Sequence, residues 1–356
     1  MRGGTWRLRI RATHGWCAGA GAALTVVQDM RTGYEGMCSP RSTDSVAAER
    51  ERDRVAIQEE PMPPRESLLS QIISGEKVIP APALNRLGLQ VARAVIAHTL
   101  YNLHKVSTPP SLKHHAETLR RDGILILPDF IPPDEFDALR DEFFEAYDRY
   151  RDELFTAKST NLYEMAYLHR LPLGSIPHAR RFVASATVQQ LLEGGEKRSW
   201  AEFFHFSGLE YITYGESGAP DPQVTLHADA FYHTHKAWLY IEDVTPENGP
   251  LAIVKGTHRV TLRQIPYIYS HSLEKGVDPS RRIASEEMKR VGVQETVVTC
   301  PRNTLVIVNT GAYHRRTQGK PGTRRYGIQI VARATPFAFR TGMIARVKSI
   351  LAKRRS

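Results

Sequence analysis

Hydrophobic and polar residues follow no clear period over the first 60 residues, and a regular pattern begins near residue 65. Residues 66–80 and 83–106 place apolar side chains three and four positions apart, which is the spacing of one helix face. Residues 111–123 predict a shorter helix that ends at Gly123. These segments predict a region of N-terminal helices over residues 65–121.

A buried strand and a long helix come next. Residues 124–130, ILILPDF, predict a strand that ends at a proline. Residues 132–150 begin with two prolines and several acids, as a helix N-terminus does. One apolar stripe of this helix consists of Phe136, Leu139, Phe143, Phe144 and Tyr147. Residues 180–195 predict a further helix, which paired glycines end.

After residue 200 the pattern changes to short segments rich in β-branched and aromatic residues. They are residues 200–215, 224–233, 237–244, 249–256, 294–300, 303–310 and 324–333. Strands with no helices between them predict an antiparallel sandwich or small barrel. A charged insert at residues 262–292 interrupts the series, and inserts of this length are often lids or binding loops.

The composition is that of a soluble globular protein. Hydrophobic residues make up 41% of the 356 positions and charged residues 24%. No run of about 18 apolar residues is present, so we expect no membrane span. The net charge is +10, but the last seventeen residues hold six Lys or Arg and no acid. Because much of the charge belongs to this tail, we expect no nucleic-acid partner.

The two ends of the chain are predicted to lie outside the folded core. Residues 1–60 are interpreted as a disordered leader or a mis-assigned start, with an Arg-rich organelle transit peptide as the alternative. Residues 341–356 predict a basic helix or tail. Three cysteines without a CxxC motif indicate a reducing compartment, so we expect a cytoplasmic location unless the leader directs import.

The stretch TLHADAFYHTHKAW, residues 225–238, contains candidate metal ligands. Residues i and i+2 of a strand point the same way, so His227 and Asp229 can bind one ion. His233 lies about 13 Å further along such a strand, too far to join that ion. We therefore interpret His233 and His235 as residues of a pocket mouth or of a substrate site.

A third ligand must come from a distant part of the chain. The candidates are His205, His258, His271 and His314. His314 follows a strong strand and a glycine, which places it at the rim of the predicted barrel, whereas His205 also lies on a strand and stays open. Two imidazoles and one carboxylate leave half of an ion exposed, which suits non-haem Fe(II) oxygenases. Zinc hydrolases also use these ligands, so the set alone does not identify the metal.

An arginine pair follows the last candidate ligand. Arg324 and Arg325 begin a predicted strand ten and eleven residues after His314. Adjacent strand residues face opposite sides, so one of the two points into the barrel. A guanidinium there would offer two parallel hydrogen bonds to a carboxylate.

Four blocks of the chain resemble the phytanoyl-CoA dioxygenase (PhyH) family of Fe(II)/2-oxoglutarate-dependent oxygenases. They are LRRDGILILPDFIPPDEFDALRDEFFEAY, LHADAF, AWLYIEDVTPENGPLAIVKGTHR and TGAYHRR…GTRRYGIQI, and the likeness covers roughly residues 115–335. It implies a mostly β fold with helical additions, in which a double-stranded β-helix (jelly-roll) of residues 122–340 has the N-terminal helices packed outside.

The resemblance also implies roles for single residues. His227, Asp229 and His314 would hold Fe(II), and Arg325 rather than Arg324 would bind the carboxylate of 2-oxoglutarate. Trp238 would lie near this co-substrate, although a core tryptophan would look the same in sequence. Two departures from the phytanoyl-CoA enzyme leave the substrate open. The segment from Asp229 to Trp238 is shorter, and Arg316 replaces a small polar residue.

We therefore predict a dioxygenase that hydroxylates an unidentified small molecule with O2 and releases succinate and CO2, with ascorbate as a reductant. The positive charge favours an acidic or acyl substrate. Two alternatives remain at this stage: a non-redox metal-binding jelly-roll that acts as a hydrolase or isomerase, and a basic binding module with an inert barrel. The oligomeric state is open.

Overall fold

The computed structural model describes residues 78–79, 81–215, 218–274, 282–283 and 294–337. All of them fall in one compact unit, Leu68–Ser356. Several predictions lie outside the described residues: the leader at 1–60, the basic tail at 341–356, most of the helix at 66–80 and most of the later part of the insert.

The N-terminal part is helical, as predicted. Helix α1 spans Pro82–Arg86, α2 spans Leu89–Leu103 and α3 spans Lys113–Asp122. The single helix predicted for 83–106 is divided, because Gly88 adopts a left-handed conformation with φ of 88° between α1 and α2. The predicted end of α3 is confirmed: Gly123 has φ of 79°, and its N–H donates to the carbonyl of Leu119.

The middle of the chain alternates strands and helices. It contains β1 (Ile124–Leu127), α4 (Pro133–Arg149), β2 (Phe155–Lys158), β3 (Asn161–Tyr167), α5 (Pro177–Val183) and α6 (Ala186–Glu196). The helix predicted for 180–195 is interrupted at Ala184 and Ser185, which separate α5 from α6. Strands β2 and β3 were not predicted.

The remaining strands form most of the barrel. They are β4 (Phe204–Tyr214), β5 (His235–Tyr240), β6 (Leu251–Ile253), β7 (Thr296–Val298), β8 (Thr304–Asn309), β9 (His314–Arg316) and β10 (Arg324–Arg333), with helix α7 (Ile265–Leu273) inside the insert. The predicted strand at 224–233 is wrong as a regular element. Its one strand-like contact is an isolated antiparallel bridge between His227 and His314.

The strands assemble into two antiparallel sheets. The order is β1–β8–β5–β10–β4–β3–β2 in the large sheet and β7–β6–β9 in the small one. This arrangement, with helices packed against it, is the jelly-roll that the sequence predicted. No described helix has both the length and the apolar character that a membrane span needs.

Two cores lie on the two faces of the large sheet. On the outer face, Phe143 of α4 and Leu191 of α6 pack against buried strand residues such as Leu239. On the inner face, Trp238 and Tyr240 of β5 pack with residues of the small sheet. Because strand residues alternate between faces, Lys236 shares the inner face with Trp238, whereas His235 points outward.

Candidate metal centre and its surroundings

Three side chains from two distant parts of the chain converge at one place. His227, Asp229 and His314 each offer a ligand atom, and these atoms lie within 4.8 Å of one another. Asp229 Oδ1 is 3.7 Å from Nε2 of His227 and 4.0 Å from Nε2 of His314. Among the described residues, no other three His, Cys, Asp or Glu residues form such a group. The structure thus brings together the three residues that the sequence proposed.

Backbone hydrogen bonds hold these residues in position. The N–H of His227 donates to the carbonyl of His314, and the N–H of His314 donates to the carbonyl of His227, both at 2.9 Å. The N–H of Asp229 donates to the carbonyl of Thr310 at 2.9 Å. His314 also pairs with Ile253 of β6. Backbone hydrogen bonds, together with the pairing of His314 with β6, therefore fix the positions of these three residues.

The imidazole rings are turned so that they can bind a metal. Nδ1 of His227 donates to the carbonyl of Thr225 at 2.8 Å, and Nδ1 of His314 donates to that of Ala312 at 2.9 Å. Because a carbonyl only accepts, the proton stays on Nδ1 and each Nε2 keeps its lone pair. Nε2 of His227 is buried and has no hydrogen-bond partner. A divalent cation would satisfy this atom, so the donor set fits a metal.

The electrostatic environment favours the same protonation states. Burial, followed by the neighbouring His314, lowers the pKa of His227 to about 3. Burial also lowers the pKa of His314. For Asp229, burial raises the pKa, but Lys236 and the two histidines outweigh it and hold the pKa well below its usual range. Neutral imidazoles and an ionised carboxylate are the forms that bind metals.

Lys236 is a neighbour of this centre that sequence reasoning missed. Its Nζ lies 2.8 Å from Asp229 Oδ2, and 19% of its side chain is exposed. The available signal was its position two residues before Trp238, since residues at i and i+2 of a strand share a face.

The two arginines take the opposite orientations that strand geometry requires. Arg325 is buried and Arg324 is exposed, so Arg325 points between the sheets. It donates to the carbonyl of Gly249, and its Nη2 lies 3.6 Å from Glu210 Oε1. Nε of Arg325 is buried without a hydrogen-bond partner. The structure therefore offers a guanidinium with a spare donor inside the barrel.

Trp238 belongs to the same network. It is 7% exposed, and its Nε1 donates to Glu210 Oε2 at 3.3 Å. Gln329 Nε2 donates to the same oxygen at 2.8 Å. Sequence reasoning missed Glu210, although an acid in the middle of the apolar strand GLEYITY was a visible signal. Trp238 is thus both a core residue and a hydrogen-bond donor to the glutamate that also faces Arg325.

The other histidines lie away from the metal centre. Nδ1 of His235 is 2.7 Å from Glu196 Oε1, on the outer side of the large sheet. His233 stacks on Tyr101 with ring centroids 3.7 Å apart, and its Nε2 is 3.2 Å from Nδ1 of His98. Both residues pack against helices α2 and α6, and their role at a pocket mouth or in a substrate site stays a prediction.

The remaining candidate ligands also have other positions. His258 Nε2 donates to the carbonyl of Arg120 at 3.0 Å. His205 packs on Trp200 with centroids 4.1 Å apart, and His271 is a buried residue of α7. None of the three joins His227 and Asp229, which leaves His314 as the third candidate ligand among the described residues.

The family model for phytanoyl-CoA dioxygenase (PhyH) matches residues 119–294. This range contains His227, Asp229 and Trp238 and ends before His314 and Arg325. No curated protein matches the sequence significantly.

Several solved structures are similar to this chain at low identity. The epimerase SnoN in complex with Fe3+, alpha ketoglutarate and nogalamycin RO has a TM-score of 0.48 and 17% identity, and the match covers 64% of this chain and 84% of SnoN. EctD from S. alaskensis with bound Fe has a TM-score of 0.45 and 17% identity, with coverage of 65% and 80%. AviO1 from Streptomyces viridochromogenes Tue57 has a TM-score of 0.42 and 17% identity, with coverage of 64% and 96%. These similarities do not identify a substrate.

Proposed function

We propose that this chain, which belongs to the phytanoyl-CoA dioxygenase family of Fe(II)- and 2-oxoglutarate-dependent oxygenases, hydroxylates a small molecule at a metal held by His227, Asp229 and His314. The convergence of the three ligand atoms within 4.8 Å carries the proposal. The Nδ1 hydrogen bonds of both imidazoles support it, because they aim each Nε2 at the same point.

Iron and 2-oxoglutarate supply the oxidising chemistry when bound, and the co-substrate leaves as succinate and CO2. His227, Asp229 and His314 would hold the ion through one atom each. The chain's own contribution is to orient these ligands and to surround them with buried side chains that exclude water.

Arg325 is proposed to bind the far carboxylate of 2-oxoglutarate. A guanidinium has five N–H donors. Arg325 gives some to Gly249 and Glu210, while its buried Nε has no partner. A ligand carboxylate would satisfy this donor and would lie beside the indole of Trp238. Glu210 sets a constraint, since its negative charge must share Arg325 with the incoming carboxylate.

The substrate is proposed to be a small molecule with an acidic or acyl group. Its support is the net charge of +10, which favours an anionic substrate. Desaturation and hydroxylation consume the same co-substrates, so mass spectrometry of the product distinguishes them. A gain of one oxygen atom identifies hydroxylation, and a loss of two hydrogens identifies desaturation.

The decisive experiment measures succinate formed from 2-oxoglutarate with Fe(II), ascorbate and O2. We expect His227→Ala, Asp229→Ala and His314→Ala to reduce turnover to background, because each removes a ligand. His205→Ala is the matched control, since His205 is exposed and lies away from the centre. Turnover that survives in any of the three ligand variants would contradict the metal assignment. Bound zinc without succinate release by the wild type would instead indicate a hydrolase or isomerase.

A further inference from the structure

Lys236 has an unusual place for a lysine. It lies on β5, where its register partners are Val308 of β8 and Val331 of β10. Both valines are buried, at 0% and 2% exposure. A cation flanked by apolar side chains is costly unless an anion neutralises it. The position therefore calls for a specific partner.

Asp229 is that partner, and its two oxygens face different groups. Oδ2 lies 2.8 Å from Nζ of Lys236, an ion-pair distance, although the two groups are not aligned as a hydrogen bond. Oδ1 faces Nε2 of His227 and of His314, at 3.7 and 4.0 Å. The carboxylate is thus divided: one oxygen belongs to the ion pair, and the other is presented to the two imidazoles.

We propose that Lys236 is a positioning residue of the metal centre, which retains Oδ2 so that Asp229 binds the metal through Oδ1 alone. The inference rests on the proposed function only in that His227, Asp229 and His314 bind a metal. It concerns a residue that acts through Asp229 and does not itself contact the ion.

Binding of Asp229 through one oxygen matters because it determines how many coordination positions stay open. A six-coordinate ion bound by three single donor atoms keeps three positions for other ligands. A carboxylate that binds through both oxygens would take one of these three. By pairing with Oδ2, Lys236 would leave that position free for ligands that do not come from the protein.

The charge of Lys236 and its positioning role predict opposite changes in metal affinity when its ammonium group is removed. A cation beside the centre repels a divalent metal, so by Coulomb's law alone its loss would strengthen metal binding. Loss of a group that orients a ligand weakens metal binding, typically by about 10- to 100-fold. The sign of the change therefore tests the proposal directly.

The test compares Lys236→Met, Lys236→Gln and Lys236→Arg with the wild type. Methionine keeps an apolar stem, glutamine keeps a neutral donor, and arginine keeps the cation. Mn(II) and Co(II) affinities are measured by titration without 2-oxoglutarate or substrate, and Co(II) visible spectra report the coordination. Lys320→Met is the control, because Lys320 is an exposed lysine 3.8 Å from Glu247. Melting of the metal-free proteins shows that each variant is folded.

We expect Lys236→Met and Lys236→Gln to bind Mn(II) at least about tenfold more weakly, with an altered Co(II) spectrum. Lys236→Arg should restore most of the affinity, and Lys320→Met should match the wild type. Wild-type affinity or tighter binding in both folded neutral variants would overturn the role of Lys236. A wild type that binds no metal would instead overturn the proposed function.

Discussion

At the scale of single residues, the interior of the barrel contains a pair of opposite charges. Arg325 and Glu210 are both nearly buried, with Nη2 and Oε1 3.6 Å apart. Strand parity alone predicts that one of Arg324 and Arg325 faces inward. Glu210 could not be predicted as its partner, because that contact depends on how β4 and β10 align. In the structure Arg325 pairs with Ile212, and Glu210 pairs with Gly327.

Arg325→Lys should raise the KM for 2-oxoglutarate by about tenfold or more, because lysine keeps the charge next to Glu210 but loses the planar fork. Succinate formation at varied 2-oxoglutarate concentration measures the effect. Arg324→Lys is the matched control on the exposed side of the same strand. A larger KM effect from Arg324→Lys would mean that Arg324, and not Arg325, binds the carboxylate of 2-oxoglutarate.

At the scale of elements, the turn before β6 contacts both β4 and Arg325 through Gly249. Gly249 has φ of 67°, a conformation that favours glycine. Its carbonyl accepts hydrogen bonds from Tyr214 and from Arg325. A Cβ built on Gly249 would lie 1.9 Å from the hydroxyl oxygen of Tyr214. A glycine is therefore needed at this position for two reasons: the positive φ, and the lack of space for a Cβ beside Tyr214.

Gly249→Ala should destabilise the protein more than Gly322→Ala, which is its matched control. Gly322 also has a positive φ, of 79°, but a Cβ there meets no atom within 4 Å. The control should cost about 1–2 kcal/mol from backbone strain alone. Gly249→Ala adds the collision with Tyr214. Urea unfolding of both variants measures the difference, and equal losses would mean that Tyr214 moves aside freely.

The elements that sequence analysis missed share a physical cause. Residues 155–167 contain β2 and β3, although their polar residues give no clear alternation, because β3 pairs with β4 and β2 pairs with β3. Residues 224–233 alternate suitably but lack a continuous partner, so they form one bridge and no strand. Strand formation depends on neighbours that local periodicity does not reveal. His227 and Asp229 still lie close together, because their backbone N–H groups donate to the carbonyls of His314 and Thr310.

At the scale of the whole molecule, four histidines lie between the outer face of the large sheet and the helices that cover it. His233 contacts His98 and Tyr101 of α2, and His235 pairs with Glu196 of α6. The ring of His258 lies 5.5 Å from that of His233, centroid to centroid. The sequence showed a dense histidine motif, but it could not show that His233 and His235 pack against α2 and α6 while His227 bridges to His314.

This cluster predicts a loss of stability in acid. Burial lowers the pKa of His258 to about 4, with His235, Arg259 and His98 contributing. Burial and the neighbouring histidines hold the pKa of His233 well below its usual range. In the unfolded chain both rings have a pKa near 6.5. The unfolded state thus binds more protons, and stability should fall as the pH decreases from about 6.5 to about 4.

His258→Gln should flatten this dependence, because it removes one of the depressed groups. Urea unfolding of the metal-free protein at several pH values between 4 and 7.5 measures the slope. His114→Gln, at an exposed histidine of α3, should leave the slope unchanged. If His258→Gln and the wild type lose stability in parallel, other groups cause the acid sensitivity.

The paired backbone hydrogen bonds between His227 and His314 predict that metal binding does not change the fold. The amide N–H of each histidine donates to the carbonyl of the other, with a nitrogen–oxygen distance of 2.9 Å. Folding has therefore already closed the loop between two residues far apart in sequence. The amides of His227 and His314 should resist exchange with heavy water even in metal-free protein. Such a centre is preassembled, so the metal should bind and dissociate without refolding the barrel.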